Sequence, residues 1–232
     1  MFNIPRLRVA FLYGPFLSGY KLLISVILAT NLISARAQAE PVVIAALGDS
    51  LTQGYGLPQE DGLVAQLQGW LDENNHDIRL INAGVSGDTT AGGRSRIEWT
   101  LTPDVDAVIV ELGGNDMMRG IAPSDSRKNL TEILEILQSR DLPVLLVGLP
   151  SANNFGPEFK AEFDDMFPAL STDFETLLYP DFFTSFRTEL NDTSALTTYM
   201  QDDAIHPNAM GVAAIVEDFG PLVVELAQQT QE

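Results

Sequence analysis

Ser50 stands in the run Gly48-Asp49-Ser50-Leu51, and a serine hydroxyl becomes a nucleophile only when a base takes its proton. Imidazole suits that task near neutral pH. The chain has two histidines. His76 sits in the polar run Glu73-Asn74-Asn75-His76-Asp77 and reads as an exposed turn residue. His206 follows Asp202-Asp203-Ala204-Ile205 and precedes Pro207; the proline disfavours helix at His206 and suits the start of the helix beyond it. Asp203 can turn back to accept a hydrogen bond from the imidazole, which would fix its tautomer and stabilise the imidazolium. Ser50, Asp203 and His206 then have the residue types, in that order, of a nucleophile, an orienting carboxylate and a general base.

Plainer readings exist for each residue. Asp49 or Ser50 can cap a helix that follows a strand, and Asp202 and Asp203 can cap the last helix. Asp49, Asp202, Asp203 and His206 could instead hold a hard divalent metal, and a non-catalytic α/β protein could use the same crevice for a small ligand. Two further segments bear on the choice. In Gly84-Val85-Ser86-Gly87-Asp88-Thr89 the glycines let a backbone N–H approach a ligand closely, and Gly87 is a candidate donor. In Val110-Glu111-Leu112-Gly113-Gly114-Asn115-Asp116 the Asn115 amide is a second one. With the N–H of Ser50, these could face the negative oxygen that forms during acyl transfer.

The elements that must position these residues are also readable. Val42 to Leu47, Ile78 to Asn82, Ala107 to Glu111 and Val144 to Gly148 are apolar on consecutive positions, as in strands covered on both faces. Leu63 to Leu71 and Ser124 to Leu137 place apolar residues at helical spacing, with Ser124 as the expected cap. This alternation predicts βαβ units and a parallel sheet. Ser50 then falls at the C-terminal end of the first strand, where such sheets place their ligand crevice. Farther on, Phe159 to Phe174 reads as helix, Thr176 to Tyr179 as a fifth strand, and the rest of Pro150 to Ala195 as loop. A final helix is expected from about Pro207 to Ala227, bent or broken at Gly220-Pro221.

Four blocks together resemble the SGNH (GDSL) hydrolase family, most closely its thioesterase I, lysophospholipase and arylesterase branch. They are Ala46 to Leu51, Asn82 to Thr89, Val110 to Asp116, and Asp202 to Pro207. The resemblance implies a three-layer α/β/α, flavodoxin-like fold around a mostly parallel five-stranded sheet. It implies Ser50 as nucleophile, His206 as base and acid, Asp203 as its partner, and an oxyanion hole made by Ser50, Gly87 and Asn115. It further implies that Met117 to Ala122 flanks the acyl site as a loop, and that Asn154-Phe155-Gly156-Pro157 lines the substrate, so Met117, Asn154 and Phe155 are expected to bind it. The stretch from Leu149 to Asn154 departs from the thioesterase form, which leaves acyl length and leaving group open. No metal or cofactor is implied.

Residues 1–39 read as an export signal with a long leader. Arg6, Arg8 and Lys21 flank the apolar run from Leu22 to Ile33, and Ala35-Arg36-Ala37-Gln38-Ala39 offers small-x-small cleavage sites, with removal expected after Ala39. A twelve-residue stretch is too short to cross a hydrocarbon core. The expected product is one domain, residues 40–232, in the periplasm or secreted, without stable membrane insertion. The leader carries four of the 13 basic residues and no acid, so the remainder has nine basic against 32 acidic residues, a net charge of −23. That field repels phosphates, and nucleic acid is not an expected partner. A small acyl ester or thioester is. The chain has no cysteine, which excludes a thiol nucleophile and disulfides.

Overall fold

The consecutive aliphatic runs form five strands in a computed structural model, which describes residues 40–151, 153–186 and 197–230. The leader, its cleavage point after Ala39, and the part of the expected loop over 187–195 lie outside the described residues. The strands are β1 (Val42–Gly48), β2 (Ile78–Gly84), β3 (Ala107–Glu111), β4 (Val144–Val147) and β5 (Leu177–Tyr179). All pair in parallel, in the order β2-β1-β3-β4-β5. This is the flavodoxin-like order, which reverses between β1 and β3 and opens a crevice at their C-terminal ends.

The helices are α1 (Ser50–Gln53), α2 (Leu63–Glu73), α3 (Thr90–Thr100), α4 (Gly114–Met118), α5 (Pro123–Gln138), α6 (Pro157–Asp173) and α7 (Ala209–Gln229). Because strand side chains alternate between faces, Ile44, Ala46, Ile109, Leu145 and Val147 pack with α2 and α7. Val43, Ala45, Leu47, Val108, Val110 and Leu146 pack with α3, α5 and α6. The result is three layers, α/β/α. Each fully buried aliphatic side chain contributes about 1.5–3 kcal/mol of transfer free energy, so both faces of the central strands hold their C-terminal ends firmly. The two short helices, α1 and α4, start directly beyond β1 and β3, on the two sides of the crevice.

The structure corrects several expected boundaries. Helix α5 starts at Pro123 with Ala122 at the cap position, so Ser124 lies inside the helix; the fixed φ of proline favours the first helical position. Helix α7 starts at Ala209, where the Asn208 side chain accepts from the N–H groups of Met210 and Gly211. Pro207 instead forms an antiparallel bridge with Met200. Nor do Gly220 and Pro221 break α7. A Cβ at Gly220 would stand 2.6 Å from the Trp70 ring, so the glycine lets the indole of α2 press directly on α7. Helix α3 was not expected at all.

Candidate active site

Asp49 and Ser50 sit where β1 turns into α1. Asp49 is the cap of that helix, its Oδ1 accepting from the N–H of Leu51 at 3.0 Å. Ser50 is the first helical residue, so its own N–H has no partner within the helix. The capping reading was therefore correct for Asp49, and it leaves the Ser50 hydroxyl unused by the helix. That hydroxyl lies 2.8 Å from Nε2 of His206.

His206 is held on a tight turn before α7. Asp203 Oδ1 accepts from the N–H groups of Ile205 and His206 at 2.9 and 3.0 Å, and its Oδ2 lies 2.6 Å from His206 Nδ1. These bonds hold Ala204 in a left-handed conformation, φ 54, which costs about 1 kcal/mol for a residue with a Cβ. Partial burial pushes the Asp203 carboxyl up, but the His206 N–H, the imidazole and the Ile205 N–H outweigh it and bring the group to about 2. Asp203 is thus charged at neutral and mildly acidic pH. An imidazole anchored at Nδ1 by a carboxylate and aimed by Nε2 at a hydroxyl can take that proton and return it.

Asn115 is on α4, just beyond β3, and is buried. Its Nδ2 donates to Asp49 Oδ2 at 2.9 Å, which orients the amide and leaves its second N–H for a ligand. Gly87 has φ 83, in the left-handed region that favours glycine. Its loop is pinned to the end of β1: Val85 N–H donates to Gly48 O at 3.0 Å. Arg96, on α3, donates to Gly48 O, Ala83 O and Asp88 Oδ2 at 2.9, 2.7 and 2.6 Å. Arg119 donates to Gly87 O at 2.7 Å and so ties the loop after α4 to the loop carrying Gly87.

A crevice of about 400 Å³ opens beside Ser50 and His206, with Met117, Met118, Leu149, Phe183 and Met200 among its walls. Its size and apolar character suit a small ligand. Met117 faces this space; Asn154 and Phe155 are exposed and do not line it. Phe155 instead lies over Gly120, where a Cβ would come 2.8 Å from its ring, and against Phe159. The metal alternative does not assemble, because Asp49 turns inward to Leu51 and Asn115 while Asp203 turns to the imidazole. Among the described residues no group of three or more ligating side chains is placed to hold a metal ion. His76 stacks on Trp70, on another element.

Glu111, which carried no role in the sequence, ends β3 fully buried against Asp49 and Thr52. Its Oε2 accepts from Thr52 Oγ1 at 2.9 Å, and its Oε1 has no partner among the described residues. Burial, then the neighbouring charge of Asp49, push its carboxyl well above the usual range. Burial also raises Asp49, but the Leu51 N–H and the Asn115 amide oppose it. Asp49 therefore carries the charge and Glu111 the proton. The folded state holds a proton that the unfolded chain releases above about 4.5, so stability is lost as pH rises from there through the raised value. Glu111→Gln, whose amide can donate as the protonated acid does, should flatten this fall in the melting temperature. Parallel curves for the two proteins would refute the assignment.

Residues 46–214 match the model of the GDSL-like lipase/acylhydrolase family. The chain belongs to this family. Among its relatives is the Esterase TesA of Pseudomonas aeruginosa, 34% identical over 88% of this chain and 98% of that protein. The Thioesterase 1/protease 1/lysophospholipase L1 of Escherichia coli K12 is 32% identical over 76% of this chain and 80% of that one. The crystal structure of AlinE4, an SGNH-hydrolase family esterase, is 41% identical, with a TM-score of 0.66, over 82% of this chain and 98% of that one. As a GDSL-family protein with this fold, the chain is a serine ester hydrolase. Among the described residues, no helix is long and apolar enough to cross a membrane.

Proposed function

We propose that this GDSL-family hydrolase cleaves small carboxylic esters or thioesters through an acyl-enzyme on Ser50. The observation that carries the reading is the continuous chain from Asp203 Oδ2 through the imidazole to Ser50 Oγ, at 2.6 and 2.8 Å. His206 Nε2 takes the hydroxyl proton as Oγ bonds to the substrate carbonyl carbon. The carbonyl oxygen becomes an oxyanion, met by the N–H groups of Ser50 and Gly87 and by the Asn115 amide. When the tetrahedral species collapses, the bond to the leaving group breaks and the imidazolium gives it the proton. Water, deprotonated by the same imidazole, then releases the acid and restores Ser50. Asp203 keeps the imidazole in the tautomer that accepts at Nε2.

The apolar crevice beside Ser50 supports an acyl group as the part of the substrate held there, and the relatives named as esterase and thioesterase support the two leaving-group classes. Asn154 and Phe155 belong, in this reading, to the outer rim that the leaving group passes. Residues 1–39 are an export leader removed after Ala39, and the domain over 40–232 works in the periplasm or outside the cell.

Fluorophosphonate treatment followed by peptide mapping tests the reaction. A single adduct on Ser50, with matching loss of p-nitrophenyl butyrate and acyl-thioester hydrolysis, is the expected result. An unlabelled protein that still binds acyl compounds would instead identify a non-catalytic binding module.

A further inference from the structure

The loop after α1 brings another side chain against the base. The Tyr55 ring lies 4.7 Å from the imidazole of His206, centroid to centroid, tilted by 41°. Its backbone is fixed from the histidine side: Gln201 Nε2 donates to Tyr55 O at 2.8 Å and to Pro207 O at 2.9 Å. The N–H of Gln201 donates to His206 O at 2.8 Å. Gly56, at φ 78, makes room for this bracket, since a Cβ there would stand 2.2 Å from Gln201 Oε1. One glutamine thus joins the loop after the nucleophile to the loop bearing the base, 146 residues away.

Tyr55 is 50% exposed, so burial of a hydrophobic core does not explain its place. Among the described residues it is the only aromatic ring against His206. The electron-rich face of a tyrosine attracts a cation within about 6 Å of its centroid. In the reaction His206 becomes a cation as it takes the Ser50 proton, so the attraction grows on the way to the transition state. Interactions that strengthen there raise kcat without tightening substrate binding. The carboxylates whose fields reach the imidazole are Asp203, at Nδ1, and Asp49, beneath Ser50. Asp203 fixes the ring through one nitrogen, which leaves rotation about that hydrogen bond to be restrained by packing.

Building on the assignment of His206 as base, we infer that Tyr55 is a positioning residue of the reaction, its ring keeping the imidazole in line with Ser50 and stabilising the imidazolium. The test compares Tyr55→Leu, Tyr55→Met, Tyr55→Phe and His206→Asn in the full chain on p-nitrophenyl butyrate. Tyr55→Leu and Tyr55→Met should each lose about two- to fivefold in kcat with KM unchanged. Tyr55→Phe, which keeps the ring face, should turn over as the wild type does. The proposal falls if the two ringless variants keep wild-type kcat, if the loss is confined to KM, or if Tyr55→Phe is as slow as Tyr55→Leu. Wild-type turnover by His206→Asn would remove the base itself, and the role of Tyr55 with it.

Discussion

Ser50→Ala should lower the turnover of a p-nitrophenyl ester by about 10⁴-fold or more while leaving the fold intact. The size follows from how such groups cooperate: without the nucleophile the base and its carboxylate have nothing to activate, and only binding and oxyanion stabilisation remain. The intact fold follows from local geometry. The cap of α1 is the Asp49 side chain, not the Ser50 hydroxyl, and the hydroxyl faces the crevice with His206 as its partner. Its removal frees an imidazole nitrogen that water in the open crevice can reach. Steady-state kinetics together with circular dichroism and a thermal melt separate the two effects. Hydrolysis within tenfold of the wild type would refute Ser50 as nucleophile.

Asn115→Ala should be the next most damaging single change, at about 10² to 10³ in kcat with KM little altered, because an oxyanion donor acts on charge that exists only in the transition state. This substitution also has a structural cost. Asp49 Oδ2 loses the amide that donates to it, and removing a partner from a buried polar group costs about 1–3 kcal/mol, more when the group is charged. The variant should therefore melt several degrees lower yet stay folded at room temperature. A kcat within threefold of the wild type, measured on protein shown to be folded, would exclude the amide from the oxyanion hole.

Sequence reading singles out the residues whose chemistry is conspicuous by type. Few side chains can serve as base near neutral pH, and with two histidines in the chain the choice between His76 and His206 rested on their neighbours. The strands were legible because sheets covered on both faces need apolar residues at consecutive positions, as in Val42 to Leu47. Helix α3 was not, because its sequence carries Gly92 and Gly93 and little amphipathic pattern. Tertiary fit sets it instead: a Cβ at Gly93 would stand 2.2 Å from Leu112, and Arg96 anchors the helix to the ends of β1 and β2.

Tyr55, Gln201, Arg96 and Arg119 escaped notice for a similar reason. Each matters through a partner far away in sequence, and nothing local marks it. Glu111 did leave a trace: a carboxylate closing the otherwise aliphatic run from Ala107 to Val110 must be buried if the strand is central. Such a group is expensive unless it is neutral or paired. Pro221 misled in the opposite direction: local propensity argued for a bend or break, and the helix runs through this position unbroken.

The bond between Ser50 and His206 spans 156 residues, most of the folded chain. Closing so long a loop is among the slower events in folding, since its entropy is lost before the contact returns anything. Under the proposed mechanism the hydrolase has no partial form: a chain still emerging from a ribosome, or cut before the Asp203–His206 turn, holds a serine with no base. Catalytic competence arrives with the turn that precedes the last helix, and a chain that has not yet closed this turn onto Ser50 cannot hydrolyse an ester.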